Sequence, residues 1–212
     1  MSAAGDTLRN YLSGKKPNGE YYLDALDREK PAFFLISGGG NDILGSRFRS
    51  FLQDVFDQSK EAGMEPERFL RTTLIKELDT LADIYRSLFK HLKQTYPKLQ
   101  VIVHGYDYPV KLNDAKKGWL GRYMIEKGIS REGDRKAIIQ YIMNEFNRRL
   151  KELAVEFSDN VTYIDLRGTV RYNPVDHEDQ WYDEIHPNDE GFQQIAMKYI
   201  QTISEKSSME HG

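Results

Sequence analysis

The 212-residue chain contains no cysteine, which excludes a disulfide, a thiolate nucleophile and any Cys-based zinc or iron–sulfur site. A metal would have to rest on His and carboxylates. Long hydrophobic runs are also missing: no apolar stretch approaches the roughly 20 residues needed to cross a bilayer. The opening Met1-Ser2-Ala3-Ala4-Gly5-Asp6 has neither the basic nor the apolar region of a signal peptide, so no membrane span and a cytoplasmic location are expected. Nor is there an excess of positive charge. Thirty Lys and Arg stand against 33 Asp and Glu, a formal charge of −3, and this offers no field to a polyanion, so nucleic acid is not an expected partner. No internal repeat and no linker composition occurs, and the chain is read as one domain, 1–212, with a polar, frayed tail from Ser204 to Gly212.

What is present is a regular alternation of apolar segments, with 39% hydrophobic and 30% charged residues, enough to build a core. Ala32–Ser37, Gln100–His104 and Val161–Asp165 are short, nearly continuous in apolar character and rich in β-branched or aromatic residues. That is the pattern of strands covered on both faces of a parallel sheet. Between them Leu70, Leu74, Leu78, Leu81, Tyr85, Leu88 and Leu92 recur at spacings of three and four, as do Ile138, Ile142, Phe146, Leu150 and Leu153; each set makes one buried helical stripe. Pro97 stops the first of these helices, and Asp159-Asn160 supplies a turn before the third strand. A last helix is expected after Pro187, with Asn188 as its cap and Phe192, Ile195, Ala196, Tyr199, Ile200 and Ile203 as its apolar face. Residues 107–130 form an irregular excursion after the second strand, where a substrate lid would sit.

Two constellations carry chemistry. Ser37-Gly38-Gly39-Gly40-Asn41-Asp42 follows the first strand, where glycines let backbone approach a ligand and Asn41 offers a side-chain donor for a developing oxyanion; a plain strand-to-helix turn fits the same residues. It matches neither a Walker loop nor a dinucleotide fingerprint. Trp181-Tyr182-Asp183-Glu184-Ile185-His186-Pro187 precedes the last helix. In a nonhelical turn, Asp183 can hold one imidazole nitrogen of His186 and leave the other as a general base; Asp183 can equally cap local amides. His177 with Asp176, Glu178 and Asp179 reads as a hydrated acidic loop before it reads as a metal site, and no cofactor is expected. His91 belongs to a solvated helix face and His104 to the structural core.

Together these segments resemble the third and fifth sequence blocks of the SGNH, or GDSL-type, esterases and lipases. The likeness extends to His104-Gly105-Tyr106-Asp107-Tyr108-Pro109 and Asn188-Asp189-Glu190-Gly191-Phe192, which resemble flanking segments of bacterial members. The resemblance implies a three-layer α/β/α, flavodoxin-like fold and a small-molecule ester substrate. By the same resemblance Asp183 and His186 would be catalytic and Asn41 an oxyanion donor. Gly5, 36 positions before Asn41, takes the place of the second-block glycine whose amide completes the oxyanion hole, with Leu8, Tyr11 and Leu12 on the helix that follows. On this alignment the chain begins after the first two strands and after the nucleophilic Ser of its relatives. Gly5-Asp6-Thr7 imitates the nucleophile block and makes Thr7 a substitute candidate, ahead of Ser2, Ser13 and Ser37. A catalytically silent module that keeps the pocket is the alternative, and metal-dependent hydrolysis a third reading. Tyr108, Trp119, Leu120 and Trp181 are the expected pocket walls. An unpaired edge on the strand at Phe33–Ile36 is expected to invite self-association or a partner segment.

Overall fold

The computed structural model of the protein describes residues 7–12, 22–55 and 65–209. Its helices are α1 (Leu8–Leu12), α2 (Tyr22–Glu29), α3 (Gly40–Ile43), α4 (Ser46–Phe51), α5 (Thr72–Thr95), α6 (Gly121–Glu126), α7 (Glu132–Glu156) and α8 (Asp189–Met209). The strands are β1 (Phe33–Ile36), β2 (Gln100–His104) and β3 (Val161–Ile164), followed by a small β4–β5 hairpin, Tyr172–Asn173 with Glu178–Asp179. The three apolar strands pair in parallel in the order β1-β2-β3, with Ile36 opposite Val103 and His104 opposite Ile164. Successive strand residues face opposite ways. Val101 and Val103 therefore enter the large core built by α5 and α7, while Ile102 enters a smaller one beneath α8. Two helix layers around a parallel sheet result, as the alternation of periods implies.

Two helices differ from their sequence patterns. Leu70 does not open the α5 stripe; it lies in an antiparallel bridge with Leu52. Arg71 is extended there, its N–H donating to the Phe51 carbonyl at 2.7 Å and its Nε to the Leu52 carbonyl at 3.0 Å, so the helix begins only at Thr72. In α8 a single row, Ile195, Tyr199 and Ile203, packs around Ile102, Ile164 and Leu166. Phe192 and Ile200 stay 54% and 64% exposed, because the three strands among the described residues accept one ridge of the helix and not the whole expected face. The same helix continues to Met209, through most of the segment expected to fray. Asn188 does cap it, accepting the Gly191 N–H at 3.0 Å.

Because the strands are parallel, their carboxyl ends open onto one rim, and the loops there are cross-tied. The Gly40 N–H donates to the Tyr106 hydroxyl at 3.1 Å, joining the β1 and β2 loops. Asp107, buried, accepts N–H donors from Tyr108, Gly168 and Val170 at 2.7, 2.6 and 2.7 Å, joining the β2 and β3 loops. No described helix is long and apolar enough to cross a membrane.

Candidate active site

The backbone of the triple glycine sets the first half of the site. Gly39 sits at φ 101° and caps α3, a left-handed conformation that side chains disfavour. A Cβ there would also come within 3.0 Å of Phe146. The Tyr85 hydroxyl donates to the Gly38 carbonyl at 3.1 Å and holds the loop down on α5. Asn41 emerges exposed in α3, and Asp42 behind it is buried. The Asp42 carboxylate accepts the Leu8 N–H and Arg9 Nη1, each at 2.7 Å, and Arg9 continues to Glu77 at 2.6 Å. The start of α1 is thereby fastened beside Asn41. Thr7 is half-buried immediately ahead of it, its carbonyl accepting the Asn10 N–H at 3.0 Å. Gly5, Ser2 and Ser13 lie outside the described residues, and Ser37 is half-buried at the end of β1.

The second constellation is a nonhelical turn closed by a bridge between Trp181 and Pro187. The Tyr182 N–H donates to the His186 carbonyl at 2.9 Å. The two carboxylate oxygens of Asp183 divide the work. Oδ1 accepts the N–H groups of Ile185 and His186 at 2.9 and 2.8 Å, while Oδ2 meets His186 Nδ1 at 2.8 Å. Capping and ring orientation thus coexist on one side chain. Desolvation pushes the Asp183 carboxyl upward, but the bonds from the His186 ring and from the Ile185 and His186 amides outweigh it, leaving the group below the ordinary carboxylate range. With Nδ1 engaged, Nε2 is the nitrogen left for proton transfer. The other rim histidine, His104, is pushed down by burial against a weaker contact with the Gly105 carbonyl. It lies edge-on to Tyr106 and Tyr199, in a structural setting. His91 and His177 are exposed. Among the described residues no group of three or more His, Asp or Glu is arranged to hold a metal ion.

The expected pocket walls differ in exposure. Leu120 and Trp181 are buried, Trp119 is 47% exposed, and the Tyr108 hydroxyl donates to Asn144 Oδ1 at 2.7 Å. A depression of about 790 Å³ beside the β4–β5 hairpin is lined by Glu178, Asp179, Tyr182, Pro187 and Asn188 among others, and by none of those four. The excursion expected as a lid is tied to its surroundings at several points. Buried Arg135 of α7 donates to the carbonyls of Leu112, Ile129 and Ser130, and Lys111 reaches the Trp181 carbonyl at 2.8 Å and Asp179 at 2.6 Å. A third tie is Glu184, inside the Asp183-to-His186 turn and only 6% exposed. Its Oε2 accepts the N–H of Trp119 and, at 2.8 Å, of Leu120; its Oε1 accepts the Gly121 N–H at 2.7 Å. Desolvation raises the Glu184 carboxyl above its ordinary range despite these three amides. Sequence reasoning alone gives Glu184, Asp107 and Arg135 no role. A readable signal exists for Glu184: Gly118 and Gly121 stand on either side of Trp119-Leu120, and a Cβ on either would sit 3.0–3.2 Å from its carboxylate.

Comparison with known proteins matches the chain to a family. The chain resembles, at 16% identity and a TM-score of 0.57, the crystal structure of phospholipase A1 from Streptomyces albidoflavus, over 97% of this chain and 78% of that one. A protein from Parabacteroides merdae described as a GDSL-like lipase aligns at 17% identity and a TM-score of 0.49, over 93% of this chain and 68% of that one. No curated protein matches. The profile of the GDSL-like Lipase/Acylhydrolase family matches residues 2–194, and the chain therefore belongs to that family.

Proposed function

We propose that the chain is built for carboxylic ester hydrolysis, with His186 as general base, Asp183 orienting its ring, and Asn41 and the Gly5 amide stabilising the oxyanion. The observation that carries this reading is the Asp183 Oδ2 to His186 Nδ1 contact at 2.8 Å, made in a turn that leaves Nε2 for chemistry. A hydroxyl attacks the ester carbonyl and passes its proton to His186 Nε2. The tetrahedral oxyanion takes hydrogen bonds from Asn41 and Gly5, and the imidazolium returns the proton to the departing alcohol, leaving an acyl-enzyme that water opens by the same steps. Support for the Gly5 assignment comes from the anchoring of Leu8 on Asp42, the residue next to Asn41.

No Gly-Asp-Ser segment occurs in the 212 residues, and this favours a second reading in which the chain keeps the pocket as a binding module. A fluorophosphonate probe separates the two. Labelling of a hydroxyl, Thr7 among the candidates, together with turnover of short p-nitrophenyl esters that His186→Ala abolishes, supports the hydrolase. Silence toward the probe with retained ester binding supports the module. Turnover indifferent to His186→Ala overturns the assignment of the pair.

Self-association through β1 belongs to the same proposal. Among the described residues β1 pairs only with β2, and Leu35 on it is 46% exposed, the kind of edge that attracts another strand. Light scattering of the eluted protein should show a dimer that Leu35→Lys returns to monomer, whereas an unmodified monomer at high concentration would remove the idea.

A further inference from the structure

We propose that Glu184 is a positioning residue for the Asp183–His186 pair, its carboxylate clasped by the amides of Trp119, Leu120 and Gly121 so that the peptide between the two side chains cannot turn. The inference rests on the proposed ester chemistry for its purpose, and on geometry for its substance. Asp183, Glu184, Ile185 and His186 form one short turn in which the Asp183 side chain is half-buried and the His186 ring 56% exposed, while Glu184 is buried. The internal bonds of the turn, Asp183 Oδ1 to two amides, close it on itself, and Lys111 on the Trp181 carbonyl holds only its base. Glu184 ties the middle of the turn, between the two side chains, to the rim. Three amide donors converge on one carboxylate from a segment that is itself fixed, since Gly121 packs so closely on the Leu112 carbonyl that a Cβ would come within 2.3 Å of it. The Leu112 carbonyl is in turn held by Arg135 at 3.0 Å. A chain of contacts thus runs from α7 through Arg135, Leu112, Gly121 and Glu184 to the turn that carries the imidazole. It explains why glycines stand on both sides of Trp119-Leu120: any side chain at 118 or 121 would crowd the carboxylate.

Glutamine in place of Glu184 keeps the shape but presents an NH2 toward at least one amide N–H, so one donor faces another donor. Nuclear magnetic resonance of the labelled full chain reads both ends of the clasp. In Glu184→Gln the amides of Trp119, Leu120 and Gly121 should exchange about tenfold faster or more, as expected when a buried hydrogen bond is lost. The 15N shifts of the His186 ring should move away from the Nδ1-protonated tautomer, with amides in β2 unchanged. Faster exchange with an unmoved His186 ring would show Glu184 to hold the loop and nothing more, overturning the positioning role; unchanged exchange would overturn the clasp itself. Should Glu184→Gln fail to fold, Gly118→Ala crowds the same carboxylate while leaving it charged, and both readouts should shift in the same direction by a smaller factor; if neither moves, the proposal falls. Ester turnover that survives His186→Ala, with these shifts present, would strike the reaction and leave the clasp standing.

Discussion

Replacing Asp42 by asparagine removes a charge and one acceptor from a site where two donors converge. The carboxylate is 1% exposed and takes the Leu8 N–H on one oxygen and the Arg9 guanidinium on the other, both at 2.7 Å. An asparagine amide can serve one of them and must turn its NH2 toward the other. A buried donor left unsatisfied costs about 1–3 kcal/mol. The ion-pair part is smaller, because the Arg9 side chain is 34% exposed and retains Glu77 at 2.6 Å; an exposed pair is worth at most about 1 kcal/mol. The expected loss is therefore about 2–3 kcal/mol, a substantial part of a typical unfolding free energy of about 5–15 kcal/mol. For a domain of this size that lowers Tm by roughly 4–12 °C. Urea unfolding followed by far-ultraviolet circular dichroism measures it. Since Asp42 adjoins Asn41 and fastens α1, any ester turnover should fall along with stability. A loss below 0.5 kcal/mol by the same measurement, on the order of an ordinary surface substitution, would refute the claim that this carboxylate ties α1 to the glycine loop.

The remaining predictions concern acid response and packing. Glu184, raised from its ordinary 4.5 by burial, contributes stability that is full below pH 4.5 and is lost as pH rises through its folded value; Glu184→Gln should flatten that part of the stability profile above pH 4.5. Asp183, lowered from 3.8, behaves oppositely: its contribution is present above 3.8 and disappears as pH falls through the lowered value, so Asp183→Asn should remove a loss confined to pH below 3.8. Both are read from urea midpoints collected across pH. Gly121→Ala drives a Cβ to 2.3 Å from the Leu112 carbonyl and should cost about 2–3 kcal/mol as an overpacked site. Gly133→Ala, in the first turn of α7 with nothing within 4 Å, should gain up to about 1 kcal/mol. Equal effects at the two glycines would contradict the packing described here.

Much of this architecture is legible in the chain because burial imposes period. The strands at Phe33, Gln100 and Val161 and the stripes of α5 and α7 follow from side-chain geometry alone. The Asp183–His186 contact is legible only in part, since the spacing allows Asp183 to cap local amides as readily as to hold the ring, and it does both. Long-range ties are not legible. Glu184 reads as one more surface acid of a charged segment until Trp119-Leu120-Gly121 is brought against it, 63–65 residues away in sequence. The same holds for residues 107–130, whose composition shows irregular backbone but not the Arg135, Lys111 and Glu184 contacts made there. On α8, Phe192 and Ile200 satisfy the helical period, yet among the described residues the three-stranded sheet offers them no partner. Period predicts a face and the neighbour decides how wide it is.

The central claim is that Asn41 and His186 approach one substrate carbonyl from two distant parts of the chain. The protein contains no cysteine, so Asn41→Cys together with His186→Cys places the only two thiols at the positions in question. Treatment with a short bifunctional thiol reagent, followed by mass spectrometry of the digest, should join the two peptides at high yield. Two singly capped cysteines with no bridge between them, in protein whose circular dichroism is that of the parent, would contradict the account.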